Sequence, residues 1–373
     1  MNIRFFAHDI ADAAVMRRVA MLHRAGAAVS VVGFTRGQNQ PSEAASVKIL
    51  GQTRNARFVH RIWAVLFQSL KMMLGPSATD HANVVIARNL EMLMLAVMER
   101  LTKRGRVPII YECLDIHRLM LGKGPASAAL RSLERWLLSF CSAIITSSPA
   151  YEKCYFRPIA RTSLPVILIE NTVFGLPSEC SAKPPATSPP WIIAWNGAVR
   201  CAKSLKILNE LTLSANGIVR LLINGRVSYD QIPDFHMIVD ANPWIEFRGP
   251  YRYPEGLDSV YDGVHFNWTI DMFWEGQNST WALANRIYEG GRAGVVPIAQ
   301  RSVETGAYYE RLGIGLLLDE LTAQALWDRL STMTANEYAQ MHAECAAIPG
   351  DTWTMTQESA EKILDRLCQL SNG

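Results

Sequence analysis

Short apolar segments alternate with helix-periodic ones along almost all of the 373 residues. That rhythm demands a parallel sheet with helices packed on its faces. Residues 3–7 (IRFFA) read as the first strand. A helix follows from about Asp12, with Val15, Val19 and Leu22 at helical spacing and Gly26 at its end. Residues 29–34, 84–87, 108–111, 143–146 and 166–169 supply further strands. A Pro/Ser-rich stretch, 175–190, breaks the pattern, which restarts at 191–195 and continues at 221–223, 245–247, 263–266 and 295–299. Helices around 322–333 and 357–370 close the chain. The expected architecture is α/β, with two Rossmann-like, doubly wound domains (1–175 and 191–373) facing a cleft. Residues 176–190 form the expected linker, and the last helix is expected to pack back on the first domain. Ligands of such sheets bind beyond the carboxyl ends of the strands, so function belongs in the loops that follow them.

Composition narrows the class. With 49% hydrophobic and 19% charged residues, a sizeable core forms and wholesale disorder is excluded. Seven cysteines without a close C-x-x-C pair give neither a disulfide framework nor a zinc spacing, and fit a reducing cytosol. MNIRFFAHDI lacks the apolar core of a signal peptide, and no apolar run reaches the roughly 18–20 residues that span a bilayer. A soluble or peripheral protein is expected. The net charge of +3 hides an asymmetry: residues 1–175 hold 22 Lys+Arg against 11 Asp+Glu, and the remainder 15 against 23. One lobe therefore suits an anionic surface or substrate. The cations are dispersed without a nucleic-acid motif, so nucleic acid is not the expected partner. Residues 54–73 mix Arg and Lys with Trp, Phe and Met, the make-up of an amphipathic helix on an anionic membrane and equally of a helix whose cations lie on its wet face.

The most informative segment runs Asn285-Arg286-Ile287-Tyr288-Glu289-Gly290-Gly291-Arg292-Ala293-Gly294-Val295-Val296-Pro297. A carboxylate at a helix start accepts both hydroxyls of a ribose. Small residues let backbone amides and the helix dipole approach a phosphate, and Arg286 clamps a diphosphate with charge-assisted bonds. A plain amphipathic helix is the bland alternative, but helical glycines cost about 1 kcal/mol each and want a reason. The segment resembles the donor-binding signature of GT-B glycosyltransferases of the family 4 type, where Lys or Arg precedes a Glu by three residues. Trp195-Asn196-Gly197-Ala198-Val199-Arg200-Cys201-Ala202-Lys203 resembles the first strand-to-helix loop of the same domain. The resemblance implies a strand ending at Gly197, with Arg200 and Lys203 on the donor phosphates. The polar, aromatic loop at 266–279 carries Asp271, Glu275 and Asn278 where a donor sugar or base would sit. Family 4 has a Glu eight positions before the one matching Glu289, and this chain has Trp281 there, so that family's retaining mechanism does not transfer directly.

The first half is similar to bacterial exopolysaccharide glycosyltransferases of the succinoglycan type in Ala7-His8-Asp9, Arg17-Arg18 and Tyr111-Glu112-Cys113-Leu114-Asp115-Ile116-His117, while Ser147-Ser148-Pro149-Ala150 and Glu170-Asn171 resemble loops that line the cleft in GT-B enzymes. An inverting transfer needs a base for the acceptor hydroxyl. Asp115 leads, with His117 as its partner or a ligand to the donor sugar, then Asp9 and His8. Each also has an ordinary reading as a helix cap or a satisfied structural residue. The resemblance implies a glycosyltransferase that moves a sugar from a nucleotide diphosphate, UDP rather than GDP, to a glycan or polyprenyl-diphosphate-linked acceptor. Its place is the cytoplasm, peripheral to the inner face of the cytoplasmic membrane, without metal or cofactor. A GT-B sugar-nucleotide epimerase and a non-catalytic binding protein are the alternatives. An NAD dehydrogenase is disfavoured, since no G-x-G-x-x-G follows the first strand.

Overall fold

The strands β1 (Asn2–Ala7) and β4 (Val84–Arg88) are buried over nearly every residue, as parallel strands covered on both faces must be. The computed structural model describes residues 1–35, 41–52, 82–103 and 107–371. The amphipathic segment at 54–73 lies outside the described residues. The chain forms two compact units, Met1–Glu170 with Thr356–Gly373, and Asn171–Met355.

The first unit holds seven strands in the order β3-β2-β1-β4-β5-β6-β7, every pair parallel. The others are β2 (Ala28–Thr35), β3 (Ser46–Gln52), β5 (Ile109–Glu112), β6 (Cys141–Thr146) and β7 (Val166–Leu168). The helix Ala13–Arg24 starts where Asp12 accepts the Ala14 N–H at 2.7 Å, and it buries Val15, Val19 and Leu22. The chain turns out of it at Gly26, with φ +94°. The last helix, Gln357–Ser371, belongs to this unit, and Gln357 donates to the Arg24 carbonyl at 2.9 Å.

The second unit holds six parallel strands in the order β10-β9-β8-β11-β12-β13. They are β8 (Trp191–Val199), β9 (Val219–Val227), β10 (Ile245–Gly249), β11 (Phe266–Trp268), β12 (Val296–Gln300) and β13 (Leu316–Leu318). Its core is built on Trp191, Trp195, Trp268 and Trp353, each no more than 2% exposed. Burial of side chains this large contributes about 2–3 kcal/mol apiece.

Three sequence expectations change. The edge strand β3 has mostly exposed side chains and so no apolar signature, and β13 is only three residues long. The strand read at 263–266 begins at Phe266, because Gly263 turns at φ +67° and its N–H is held by the Lys183 carbonyl. The 175–190 stretch belongs to the second unit. Arg292, buried, donates to the carbonyls of Pro177 (2.7 Å) and Glu179 (2.8 Å) and pairs with Asp258, which accepts from Ser181.

His265 pins the end of that stretch. Its Nε2 donates to the Ala186 carbonyl at 2.8 Å and its Nδ1 accepts the Ile192 N–H at 3.1 Å, which only the neutral ring can do. Burial, reinforced by His342 and opposed by the bond to Ala186, pushes its pKa down to about 4. Unfolded histidine titrates near 6.5. Between those values the unfolded chain binds the extra proton, so stability falls as pH drops from 6.5 toward 4, by up to about 3 kcal/mol. Denaturation between pH 7 and 4.5 is expected to show this slope, flattened in a His265→Asn variant.

Candidate functional site

In the second sheet the strand order reverses between β8 and β11, the place where a doubly wound sheet opens a crevice at its carboxyl edge. The candidate residues follow these two strands. β8 does not end at Gly197 but runs on to Val199. Gly197 has φ +99°, and the position a Cβ would take is open space, so its backbone stands bare on that side. Gly225 of β9 makes the close approach, for a Cβ there would lie 1.7 Å from the Gly197 carbonyl oxygen.

Arg200, just past β8, donates to Asp271 at 3.1 Å and lies 4.7 Å over the ring of Phe273. Lys203 pairs with Glu275, which raises the pKa of its ammonium, and both side chains are exposed. Asp271 also accepts the Phe273 N–H at 2.9 Å, fixing the loop's turn. The 271–275 loop thus supplies counter-ions to the two cations read as phosphate ligands. Asn278, buried, opens the short helix Asn278–Trp281 behind that loop.

The helix Asn285–Arg292 precedes β12, so its first turn lies at the same carboxyl edge. Ala284 at its start makes no side-chain cap, and Asn285 is half-buried. Arg286 is 8% exposed, and its Nη1 is buried without a hydrogen-bond partner. A buried guanidinium nitrogen left this way calls for an acceptor from outside the chain. Glu289, one turn on and 5% exposed, accepts from the Tyr251 hydroxyl at 3.3 Å. Beside it the Tyr261 hydroxyl is pushed far above its usual pKa, first by burial and then by the Glu289 charge. A pocket of about 30 Å³ lined by Thr269, Asp271, Ala284 and Thr305 joins the 271–275 loop to the helix start.

Gly290 and Gly291 have a packing role that the sequence reading assigned to phosphate approach. A Cβ on Gly290 would meet Asn267 Nδ2 at 2.1 Å, and one on Gly291 would meet the Trp353 ring at 2.4 Å. Asn267 in turn donates to the Arg286 carbonyl at 2.7 Å, holding the helix start to β11. Gly291→Ala is expected to destabilise the protein by about 1–3 kcal/mol despite alanine's helix preference, because the indole has nowhere to go. A thermal melt checks this.

In the first unit, Asp9 follows β1 and Asp115 and His117 follow β5. With β4 between them, the two strands that these residues follow lie two strand spacings, roughly 10 Å, apart. Asp9 is buried and accepts the Ala11 N–H at 3.1 Å, and His8 faces Asp12 at 4.0 Å. Asp115 is exposed. His117 caps the short helix Arg118–Leu121 by accepting the Leu119 N–H at 3.3 Å. Two residues of the matched motifs serve structure instead. Glu112, fully buried, accepts from Arg18 at 2.8 Å and from Arg88 at 2.6 Å. Burial raises its pKa, but Arg88 and Arg18 outweigh that and hold it low. Sequence reasoning missed Arg88, Asn267 and Tyr251, of which only Arg88, an Arg closing an apolar strand run, left a trace. Among the described residues no group of three His, Cys, Asp or Glu could hold a metal, and no helix is long and apolar enough to cross a membrane.

No protein-family model matches the chain. Over its full length it is 38% identical to succinoglycan biosynthesis protein ExoL of Rhizobium meliloti (strain 1021), covering 94% of that protein. The chain belongs to the ExoL family. The ExoL-like chain also resembles solved structures along nearly its whole length. HepE of Anabaena, crystallised with UDP and glucose, aligns with a TM-score of 0.67 at 13% identity over 99% of both chains. The lipopolysaccharide outer core galactosyltransferase WaaB aligns at 0.63 and 13% over 100% of both. The fold of this ExoL relative is GT-B, as the sequence led one to expect.

Proposed function

We propose that the chain is a hexosyltransferase of exopolysaccharide synthesis, moving a sugar from a UDP-sugar to a lipid-linked or oligosaccharide acceptor. The observation that carries this reading is the uncapped start of the helix Asn285–Arg292, with a buried, unsatisfied Arg286 nitrogen one turn before the buried carboxylate of Glu289. Glu289 takes the ribose hydroxyls. Arg286 and the helix amides take the pyrophosphate, with Arg200 and Lys203 beside the bare backbone of Gly197. The crystallisation of HepE with UDP and glucose supports UDP as the nucleotide. As the sugar leaves, charge builds on the departing diphosphate, and fixed cations lower that barrier without a metal. For the anion to draw on Arg200 and Lys203 it must compete with Asp271 and Glu275, so donor binding is coupled to the 271–275 loop. On the acceptor side, exposed Asp115 is the base, and the work is done peripherally at the inner face of the cytoplasmic membrane.

Mass spectrometry of the purified protein with UDP-glucose or UDP-galactose and a short lipid-linked acceptor tests this reading. An acceptor heavier by one hexose, with UDP released in equal amount, is the expected result. A changed sugar nucleotide without acceptor would make it an epimerase, and no turnover of any UDP-sugar would leave a binding protein.

A further inference from the structure

The first unit also carries a cationic surface made of residues other than those proposed for the donor and the base. An open groove runs between the helix Pro125–Leu138 and the π-helix Glu152–Ala160. Its volume is about 550 Å³ on the side of residues 120–123 and about 270 Å³ toward 160–164. Lys123, Arg131, Arg135 and Arg161 line it, and among the described residues no carboxylate does. Residues 118–164 hold seven Lys or Arg against two Glu, and both Glu are engaged elsewhere. Glu134 is buried and accepts from the Tyr155 hydroxyl at 2.6 Å, while Glu152 pairs with Arg157. Arg131 is tied to the Met120 and Gly122 carbonyls, bonds that position its charge without neutralising it. Arg135 lies one turn further along the same helix face. Arg161 ends the π-helix with φ +57°, a conformation that glycine would take more easily, yet a cation stands there.

Exposed apolar side chains stand on the flanks of the elements that line the groove. Trp136, one position after Arg135 and so about 100° round the helix from it, is 46% exposed. Leu119, which precedes the lining residue Met120, is 37% exposed. A soluble polyanion has no use for them. At a bilayer surface, cations meet the anionic headgroups while Trp and Leu enter the interface.

We propose that this groove is where the first unit rests on anionic phospholipid headgroups. The inference rests on the reading of the protein as a peripheral enzyme at a membrane, and it assigns the contact to this surface. Co-sedimentation compares vesicles of phosphatidylcholine alone with vesicles containing phosphatidylglycerol. The wild type is expected to bind only the anionic vesicles. A Lys123→Gln, Arg135→Gln, Arg161→Asn variant is expected to lose about 100-fold in partitioning, at about fivefold per cation. Its melting temperature and its transfer rate to a short water-soluble acceptor stay at wild-type values. Trp136→Ala is expected to weaken binding at all salt concentrations. If the triple variant partitions like the wild type while Arg54→Gln, Arg57→Gln, Arg61→Gln does not, the groove assignment fails and the membrane reading stands. Absence of wild-type binding overturns both. If inorganic polyphosphate binds with the same dependence on the three cations but anionic vesicles do not, the occupant is a soluble anion and the proposal is wrong.

Discussion

Glu289→Ala should lower kcat/KM for sugar transfer by about 1,000-fold, with most of the loss in KM for the donor. A carboxylate accepting two ribose hydroxyls contributes about 1.5–3 kcal/mol per bond. Those bonds are alike in ground and transition states, so their removal acts on binding. Arg286→Ala should divide the loss differently. The buried guanidinium meets a diphosphate whose charge grows as the glycosidic bond breaks, so kcat falls along with affinity, by about 100-fold or more. Neither change should unfold the protein. Glu289→Ala leaves the Tyr251 hydroxyl without this acceptor, a cost of about 1 kcal/mol at a half-buried site. Steady-state kinetics with donor and acceptor varied separately, alongside thermal melts, checks both statements. Wild-type donor KM in Glu289→Ala would remove the ribose role.

The second large effect concerns stability. Glu112→Ala should destabilise the first unit by about 3–5 kcal/mol, because it strands two cations in a dry interior. Arg18 and Arg88 are 8% and 3% exposed and share the two carboxylate oxygens of a fully buried partner. Replacing all three residues by apolar ones of similar volume should cost far less, since the desolvation goes with the charges. A chain of two units need not unfold in a single step, so hydrogen exchange of the β4 and β5 amides is the suitable readout. Wild-type protection in Glu112→Ala would contradict the role of the triad.

These motifs also mark where sequence reading stops. The alternation of strands and helices follows from local periodicity, so two doubly wound sheets were legible from the residues alone. Side-chain partners depend on strand order, which periodicity does not encode. Arg200 and Asp271 are 71 positions apart and meet because β11 pairs with β8. Asp271 and Glu275, read from the sequence as lying where a donor sugar or base would sit, are therefore seen only in the structure as counter-ions to Arg200 and Lys203. Glu112 and Arg18, 94 positions apart, matched a motif of the family and turn out to bind each other. Gly290 and Gly291 demanded a close approach, and the sequence did not say that Asn267 and Trp353 make it. Arg286 and Glu289 are read from a local spacing of three residues, so their proposed role on the donor needs no knowledge of strand order.

Calorimetric titration of the full chain with uridine, UMP and UDP asks most directly whether the second unit holds a pyrophosphate at this helix start. UDP is expected to bind at least about 10-fold more tightly than UMP, an advantage of roughly 1.4 kcal/mol or more, and Arg286→Ala is expected to abolish that difference. Equal affinity for all three ligands, or a preference for UDP that survives in Arg286→Ala, would contradict it.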